Sequence, residues 1–314
     1  MKTIHWFPVT LICFLFIGCE KNSTFNPSDL EKEQFSDTIY KNGVLISEIL
    51  ADPKQGGVEF IEIYNNSDQI VDLQSLEITT VNANGKRNRL HRISDKSEYL
   101  YPGRYKVLSK SSETLQDHYA YSDRLSFHSM ETFPTLTNTR GAVLVFQNEE
   151  LIDSLFYTVE MHDIFIKNPK GVSLERVDFN VNTNTAGNFI SAAASYGYGT
   201  PGYQNSQAAN DDSLSYGVSL LNEKFAPSKD ETLDLHIGLP RGGKMANILI
   251  FNSAGKRVKK LRSNHRLGTR NIISWDGTDE RQNVLPMGIY YIHTELYDSN
   301  GNLKTFKATA LLVR

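Results

Sequence analysis

Short apolar runs recur along this chain with the alternation that is typical of β-strands. The first two, residues 44–53 and 58–67, are rich in β-branched and aromatic residues, and Pro53, Gly56 and Gly57 separate them. In the second run both alternating sets of positions contain apolar residues. This pattern predicts two adjacent strands, with one face in a sandwich core and the other face only partly exposed to water.

The strand pattern continues to about residue 205. Strands are predicted at residues 76–81, 86–93, 100–108, 142–146, 151–157 and 171–176, and residues 115–130 are predicted as a loop with one helical turn. Asn84-Gly85 is the strongest short hairpin signal in this part of the chain. Pro102-Gly103 is typical of a type II turn. These features predict one all-β unit over residues 43–205.

A second set of predicted strands follows a polar joint at residues 206–217. These strands lie at residues 232–239, 246–251, 256–262, 271–277, 288–297 and 304–313. Their regular spacing, with turn residues between them, predicts a second small sandwich over residues 218–314. A length of 314 residues also favours two domains, because single cores rarely grow beyond about 250 residues.

Several short motifs of the first unit together resemble one family. Ile46-Ser-Glu-Ile49, Glu59-Phe-Ile-Glu-Ile-Tyr-Asn65 and the closing Gly199-Thr-Pro-Gly202 with Asn205 resemble the lamin-tail family of immunoglobulin-like β-domains. One departure is Asn188-Phe189, at a site where many relatives carry Trp. The resemblance spans residues 43–205 and implies a module for interaction or positioning.

The second unit resembles another family. Residues 248–255, Trp275-Asp-Gly277 and Pro286-Met-Gly-Ile-Tyr290 are similar to the immunoglobulin-like domain of the flagellar hook-cap family. The resemblance implies a sandwich fold, and the hook-cap role itself is not expected to carry over. The expected fold class is therefore all-β, with two immunoglobulin-like β-sandwich domains after a lipoprotein signal peptide and a tether.

The amino terminus resembles a bacterial lipoprotein signal. Residues 4–17 contain no Asp, Glu, Lys or Arg, and this run is shorter than the roughly 20 residues of a membrane-spanning helix. Leu15-Phe-Ile-Gly-Cys19 resembles a lipobox, which implies a signal peptide at residues 1–18 and a lipidated Cys19. Residues 19–42 lack a sustained apolar period and are expected to be a tether. The alternative is an ordinary secretory signal in which Cys19 is incidental.

The resemblance also implies a location. Glu20, rather than Asp, follows Cys19, which by similarity to enterobacterial sorting favours the cell outer membrane. The resemblance of the second unit implies a Gram-negative, Bacteroidetes-like bacterium, since similar modules occur in many secreted proteins of such bacteria. Cys13 lies in the segment that would be removed, so no disulfide is expected, and both cores must depend on burial alone. The expected location is the outer membrane, with a lipid anchor and either a periplasmic or a surface orientation.

Most of the usual chemical motifs are missing from the sequence. A formal net charge of −3 gives no case for nucleic-acid binding, and the basic run at residues 86–93 lacks interleaved aromatic residues. The His residues show no metal-ligand spacing, and no G-x-S-x-G motif exposes a serine nucleophile. Gly197 to Gly202 fits G-x-G-x-x-G, but Pro201 prevents the helix that a dinucleotide site requires. No cofactor, metal site or catalytic residue is expected.

Acidic residues of the first two strands are the exception. Glu48, Asp52, Glu59 and Glu62 are close enough in sequence to converge on one sheet edge, where carboxylates bind a cation or transfer protons. The alternative is that they accept hydrogen bonds from backbone donors or lie on a wet face. An enzyme hypothesis follows, in which Glu48, Glu59 and Glu62 serve a metal-dependent hydrolase, or the chain is an accessory subunit of a secreted hydrolase.

The interpretation that the residues favour is a binding protein. Tyr196, Tyr198 and Tyr203 cluster in sequence, and exposed Tyr is typical of contact surfaces, although packing in a core is the other use. We therefore expect a non-enzymatic, lipid-anchored envelope protein that binds or scaffolds a protein or glycan partner. A passive structural spacer is the third possibility. The sequence does not identify the binding residues.

Overall fold

The computed structural model describes residues 43–209 and 216–314. The expected signal peptide (residues 1–18), the expected tether (residues 19–42) and with it Cys19 lie outside the described residues, and so do residues 210–215 of the expected joint. Strands account for 43% of the structure and helices for 8%, which confirms the all-β fold class. No helix within the two described ranges is long and apolar enough to cross a membrane.

The first unit is a sandwich of two main sheets. Its strands are β1 (Val44–Leu50), β2 (Phe60–Asn65), β3 (Val71–Asp72), β4 (Leu76–Val81), β5 (His91–Arg92), β6 (Tyr99–Leu100), β7 (Tyr105–Ser109), β8 (Phe127–Ser129), β9 (Arg140–Gln147), β10 (Glu150–Thr158), β11 (Leu174–Arg176) and β12 (Phe189–Ser191). The six-stranded sheet has the order β12-β11-β1-β2-β7-β8, and the four-stranded sheet has the order β10-β9-β4-β5. Alternate residues of β1 and β2, including Ile49, Ile61 and Ile63, fill the core between the sheets.

Strands β1 and β2 are buried on both faces, so the expectation of a partly wet second face was wrong. Phe60, on the face away from the main core, packs edge-on against Tyr119 at 5.9 Å between ring centroids. Tyr119 follows α1 (Ser112–His118), and this helix and residues 199–207 cover the outer face of the sheet. A strand that is covered by other parts of the protein on both faces carries apolar residues at most positions. Polar residues occur in it only where they have hydrogen-bond partners in the interior.

Two local predictions also differ from the structure. The return strand predicted at residues 86–93 is reduced to β5, because only His91 and Arg92 pair with β4 beyond one bridge at Arg87. The loop predicted at residues 115–130 contains most of α1 and also β8, which pairs in parallel with β7. Neither element shows a long periodic pattern, so tertiary contacts decide their structure.

A buried ion pair ties the two sheets of the first unit together. The carboxylate of Asp153 accepts a hydrogen bond from the backbone N–H of Ile46 at 2.7 Å, and Arg176 donates to the carbonyl of Ile46 at 3.1 Å. The side chains of Arg176 and Asp153 are only 2% and 7% exposed. Because each charged group has hydrogen-bond partners inside the protein, these bonds offset part of the desolvation cost of burying the ion pair.

The second unit is a smaller sandwich. Its strands are β13 (Gly217–Leu220), β14 (Lys224–Phe225), β15 (Leu233–Gly238), β16 (Met245–Asn252), β17 (Arg257–Arg266), β18 (Arg270–Trp275), β19 (Gly288–Tyr297) and β20 (Leu303–Leu312). One sheet has the order β13-β15-β18 and the other β14-β20-β19-β16-β17. Trp275 is fully buried between Phe225 and Tyr290, with ring centroids 5.4 and 5.3 Å away.

The two units contact each other through buried polar groups. Gln207 donates to the carbonyl of Leu267 at 2.9 Å and accepts from the backbone N–H of Gly243 at 3.0 Å. Arg266 forms an ion pair with Asp163, and these side chains are 3% and 7% exposed. Residues 206–209, which the sequence assigned to the joint, therefore pack between the units instead of linking them loosely.

Candidate functional site

Three buried glutamates form a row across the six-stranded sheet of the first unit. Glu48 of β1 lies directly opposite Glu175 of β11 on one side and Glu62 of β2 on the other. All three are fully buried. Like charges directly opposite each other destabilise a sheet, so this row, called here the carboxylate row, requires compensating donors.

The closing segment of the first unit supplies those donors. The backbone N–H of Thr200 donates to Glu48 at 3.1 Å, and the backbone N–H of Gly202 donates to Glu62 at 2.6 Å. Glu175 accepts from the hydroxyl of Ser206 at 2.6 Å and from the backbone N–H of Gln207 at 2.9 Å. The row therefore fastens residues 200–207 onto the outer face of the sheet.

Glycines allow this segment to approach the sheet closely. A Cβ at Gly199 would lie 2.6 Å from the ring of Tyr119. Gly202 has φ of +91°, and a Cβ there would lie 2.9 Å from the backbone oxygen of Asp123. The motif Gly199-Thr-Pro-Gly202 is thus a closing turn, as its sequence predicts, and the glycines are present because larger residues do not fit.

The three carboxyl groups of the carboxylate row have raised pKa values, so they hold protons at a higher pH than free carboxylates do. Burial raises the pKa of Glu48, and the neighbouring charges of Glu175 and Glu62 raise it further. Burial also raises the pKa of Glu175, and it raises the pKa of Glu62 to about 8, while the Gly202 donor acts in the opposite direction. One oxygen of Glu62 has no hydrogen-bond partner in the described part of the chain. The row is a structural element with a proton affinity well above that of free carboxylates.

The predicted acidic set does not converge on one site. Glu48 and Glu62 are closed off beneath residues 200–202, whereas Asp52 and Glu59 line a separate open cleft. The prediction that Glu48, Glu59 and Glu62 together surround a reactive centre is therefore wrong. Glu59, which immediately precedes β2, lines the open cleft instead of lying beside Glu62. The sequence could not reveal that a segment about 140 residues away would cover Glu62.

No metal site is formed by the described residues. Across residues 43–209 and 216–314, no three His, Cys, Asp or Glu side chains are arranged to hold a metal ion. His162 is partly buried: burial lowers its pKa to about 4, and it contacts the Ser191 hydroxyl at 3.1 Å. It belongs to the packing between the sheets and the second unit.

An open cleft in the first unit is a candidate site for ligand binding. It has a volume of about 780 Å³ and lies between the β1–β2 turn and residues 131–138. Its charged and titratable lining residues are Asp52, Lys54, Glu59, Arg89, His91, Lys110, Glu131 and Lys170. This size is typical of small-ligand pockets, although here the lining is more polar than usual.

The charges of the cleft are only partly paired. Lys170 forms an ion pair with Asp52 at 2.8 Å. Arg89 and Lys110 make no side-chain hydrogen bond or ion pair among the residues that the structure describes. Burial raises the pKa of Glu59 to about 7, and the backbone N–H of Leu136 donates to its carboxylate at 3.2 Å. The third such cation, Lys54, lies over the Tyr119 ring at 5.5 Å, and Glu131 is another carboxylate of the lining. The cleft therefore offers Arg89 and Lys110 without an ion-pair partner among the described residues, beside a carboxylate, Glu59, whose charge changes near neutral pH.

Sequence reasoning found only part of this cleft. It identified Asp52 and Glu59, and it treated the basic run at residues 86–93 as a solvated strand face. Arg89 and His91 of that run line the cleft because the hairpin folds beside residues 131–138. Nothing in the local pattern of residues 86–93 distinguishes a cleft wall from an exposed strand.

The clustered tyrosines have separate roles. Tyr196 lies between the units, where its hydroxyl donates to the carbonyl of Arg270 at 2.9 Å and its ring lies 5.1 Å from that of Tyr121. Tyr203 is 50% exposed on the surface of the closing segment. Tyr196 therefore serves the contact between the units, whereas Tyr121 and Tyr203 are available to solvent.

Comparisons with known proteins assign a family to part of the chain. Residues 38–158 match the family model of the Lamin Tail Domain, which confirms the resemblance over that range. The matched range ends with β10. Beyond it, β11 pairs with β1 and β12 pairs with β11, so both strands belong to the six-stranded sheet that contains the matched strands β1 and β2. The structural unit therefore extends beyond the matched residues. The search of curated proteins gave no match.

Among the solved structures that the search matched are a flagellar protein and two bacterial surface proteins. FlgD of P. aeruginosa is 17% identical over 32% of this chain and 78% of that chain, with a TM-score of 0.24. PorZ, an essential surface component of the type-IX secretion system of Porphyromonas gingivalis, is 12% identical over 56% of this chain, with a TM-score of 0.25. Dimeric latent PorU of the same organism is 9% identical over 90% of this chain, with a TM-score of 0.26. The chain spans 21% of PorZ and 21% of PorU, and TM-scores this low support no functional inference.

Proposed function

We propose that this protein is a non-enzymatic, lipid-anchored module of the cell envelope that binds a protein or glycan partner through the cleft of its first unit. The observation that carries the proposal is the combination of an open cleft of about 780 Å³ with three cations in its wall, Lys54, Arg89 and Lys110, that form no ion pair among the described residues. Lamin tail domains are generally non-catalytic, which agrees with a binding role.

The positions of the acidic side chains in the structure support a binding role and not a catalytic one. The buried carboxylates of Glu48, Glu62 and Glu175 accept hydrogen bonds from the closing segment, so they are unavailable to a substrate. Glu59 alone remains in the cleft with a raised pKa, and a general base also requires a nucleophile or a metal-bound water within reach. An accessory role beside a secreted hydrolase is compatible with this proposal, since an accessory module also acts by binding.

The cleft cations provide a direct test. Replacing Arg89 and Lys110 together by Glu is expected to weaken partner binding by at least about tenfold, because exposed cations that contact a ligand each contribute on the order of 1 kcal/mol. The measurement is titration of glycans and envelope proteins that an array of envelope components first shows to bind the wild type.

The matched control for this test carries the same change of charge elsewhere. Arg104→Glu with Lys304→Glu alters two exposed residues that do not line the cleft. Equal losses of affinity in both double variants would mean that only net charge matters and would refute the cleft as the site. Failure of the wild type to bind any envelope glycan or protein would favour the passive spacer.

The anchor is tested separately. In the native host, Cys19→Ser is expected to abolish acylation and to move the protein from the membrane fraction to the soluble fraction. The physical reason is that acyl chains bury many CH₂ groups in lipid, each worth about 0.8 kcal/mol. Phase partition in Triton X-114 together with metabolic labelling by a fatty-acid analogue measures both effects. A variant that still incorporates the label would contradict lipidation at Cys19.

A further inference from the structure

The outer face of the five-stranded sheet in the second unit carries an exposed apolar stripe. Tyr290, Ile292, Ala310 and Leu312 point into the core, so the alternate positions of β19 and β20 point outward. Ile289, Tyr291 and Leu311 occupy such positions and are 47%, 45% and 39% exposed. Ile289 lies opposite Leu311, and Tyr291 lies opposite Phe251 of β16. These residues form one contiguous surface on adjacent strands.

Each row of this face contains a cation. The first row runs from Ile289 through Leu311 to Lys224. The second row is Arg257, Phe251, Tyr291 and Thr309. The third row is Lys260, Leu249, His293 and Lys307. No acidic residue stands in any of the three rows, and the four Lys and Arg side chains form no ion pair among the described residues. One carboxylate, that of Glu280, borders the third row, where it accepts a hydrogen bond from the backbone N–H of Lys260 at 2.6 Å.

The three rows lie toward the end of the five-stranded sheet that is remote from the first unit. The contacts between units use residues 242–243 and 266–271, and Phe165 packs on Tyr297 at the opposite end of β19, with 5.4 Å between ring centroids. Tyr297 and Ile289 are eight residues apart on one strand, which separates them by roughly 26 Å. The three rows are therefore not part of the contact between the units.

The distribution of charge between the two units is strongly unequal. Residues 216–314 contain 15 Lys and Arg against 9 Asp and Glu, a formal charge of +6. Residues 43–209 contain 14 Lys and Arg against 20 Asp and Glu, a formal charge of −6. A net charge near zero for the whole chain conceals this separation. An anionic surface attracts the second unit and repels the first.

We propose that the outer face of β14, β20, β19, β16 and β17 is a contact surface for an anionic lipid membrane. Apolar side chains surrounded by Lys and Arg fit the boundary between anionic headgroups and acyl chains, since the cations meet lipid phosphates while Ile289, Tyr291 and Leu311 enter the interface. This contact goes beyond the proposed function because it requires neither the acyl anchor nor the cleft. It would orient the molecule with the first unit away from the lipid surface.

The test uses the mature chain, residues 19–314, with Cys19→Ser, so that no acyl chain contributes. Co-sedimentation with vesicles of phosphatidylcholine and 30% phosphatidylglycerol is expected to show binding at low salt. Vesicles of pure phosphatidylcholine, or addition of 0.5 M NaCl, are expected to abolish it, because screening removes the attraction between the cations and the headgroups. Absence of binding to the anionic vesicles would overturn the proposal and would favour an acidic protein as the occupant of this face.

Two pairs of variants separate this face from net charge. Arg257→Glu with Lys260→Glu is expected to lower the vesicle partition coefficient by at least roughly tenfold, since each Lys or Arg near an anionic surface contributes measurably to binding. Arg241→Glu with Lys304→Glu makes the same change of charge at exposed positions outside the three rows and is expected to have a much smaller effect.

Ile289→Ser with Tyr291→Ser tests the apolar side chains. It is expected to weaken binding to the anionic vesicles even at low salt, where the attraction between the cations and the headgroups is intact. Equal losses in the two charge variants would overturn the proposal, and so would unchanged binding of the serine variant. All of these side chains are exposed, so circular dichroism should show an unchanged fold.

Discussion

Glu175→Ala is expected to lower the free energy of unfolding by about 2–4 kcal/mol, because the backbone N–H of Gln207 and the hydroxyl of Ser206 would lose their buried acceptor. The truncated side chain also leaves a cavity in a fully buried layer. Urea unfolding at pH 7 measures the loss. Limited proteolysis should also detect release of residues 200–207, whose attachment to the sheet depends on the carboxylate row.

Glu175→Gln is the matched control. It keeps the shape and one acceptor oxygen, and its amide can donate to the Thr200 hydroxyl, which lies 2.8 Å from the Glu175 carboxylate. The substitution also removes a charge that repels Glu48. We therefore expect it to be neutral or stabilising at pH 8. A Gln variant as unstable as the Ala variant would show that the charge itself, and not hydrogen bonding, holds the closing segment.

The pH dependence of stability follows from the same row. The folded state raises the pKa of Glu62 from 4.5 to about 8, so between these values the folded protein binds more protons than the unfolded chain. Stability should therefore fall as the pH rises through this window, by an amount on the order of a few kcal/mol. The raised pKa values of Glu48 and Glu175 act in the same direction. In Glu175→Gln this fall should be smaller than in the wild type.

Arg266→Ala is expected to cost about 3–5 kcal/mol, since it leaves the buried carboxylate of Asp163 without its cation. The loss falls on the contact between the two units. Calorimetry of the variant should therefore show two separated unfolding transitions, and small-angle scattering should show a larger radius of gyration. A single transition at the wild-type temperature would contradict a stabilising role for this ion pair.

Lys244→Ala is the control for that substitution. Lys244 pairs with Asp298 within the second unit, and these side chains are 34% and 12% exposed. This pair is more accessible to water than the pair of Arg266 and Asp163, so the loss of stability should be smaller than in Arg266→Ala. A double replacement, Asp163→Asn with Arg266→Met, should cost less than Arg266→Ala because it removes the pair without leaving a buried charge alone.

Local pattern was sufficient for most of the strands. Residues 44–50 and 60–65 alternate or run apolar because they line a core, and Asn84-Gly85 is a turn because few other residue pairs adopt its backbone angles. The closing turn at Gly199 to Gly202 was also readable, since Pro201 excludes a helix. The helix at residues 112–118 was predicted only as one helical turn within a loop, because seven residues are too few to show an amphipathic period.

The acidic residues show the limit of such reasoning. Glu48, Glu59 and Glu62 are close in sequence, and their spacing alone did not reveal which face of the sheet each one would occupy beneath the rest of the chain. Glu175, the third member of the carboxylate row, was not identified at all, since it reaches Glu48 only when β11 pairs with β1. Arg89 entered the cleft in the same way, through the packing of a hairpin against residues distant in sequence.

The amino-acid sequence by itself determined that this protein has two all-β units, because the alternation of apolar side chains that forms a sandwich is a local property. Tertiary structure alone decided which carboxylates are buried together, which cations line a cleft and which sheet face remains exposed. The physical reason is that burial, charge pairing and hydrogen-bond partners depend on contacts between segments more than a hundred residues apart, as between Glu48 and Thr200.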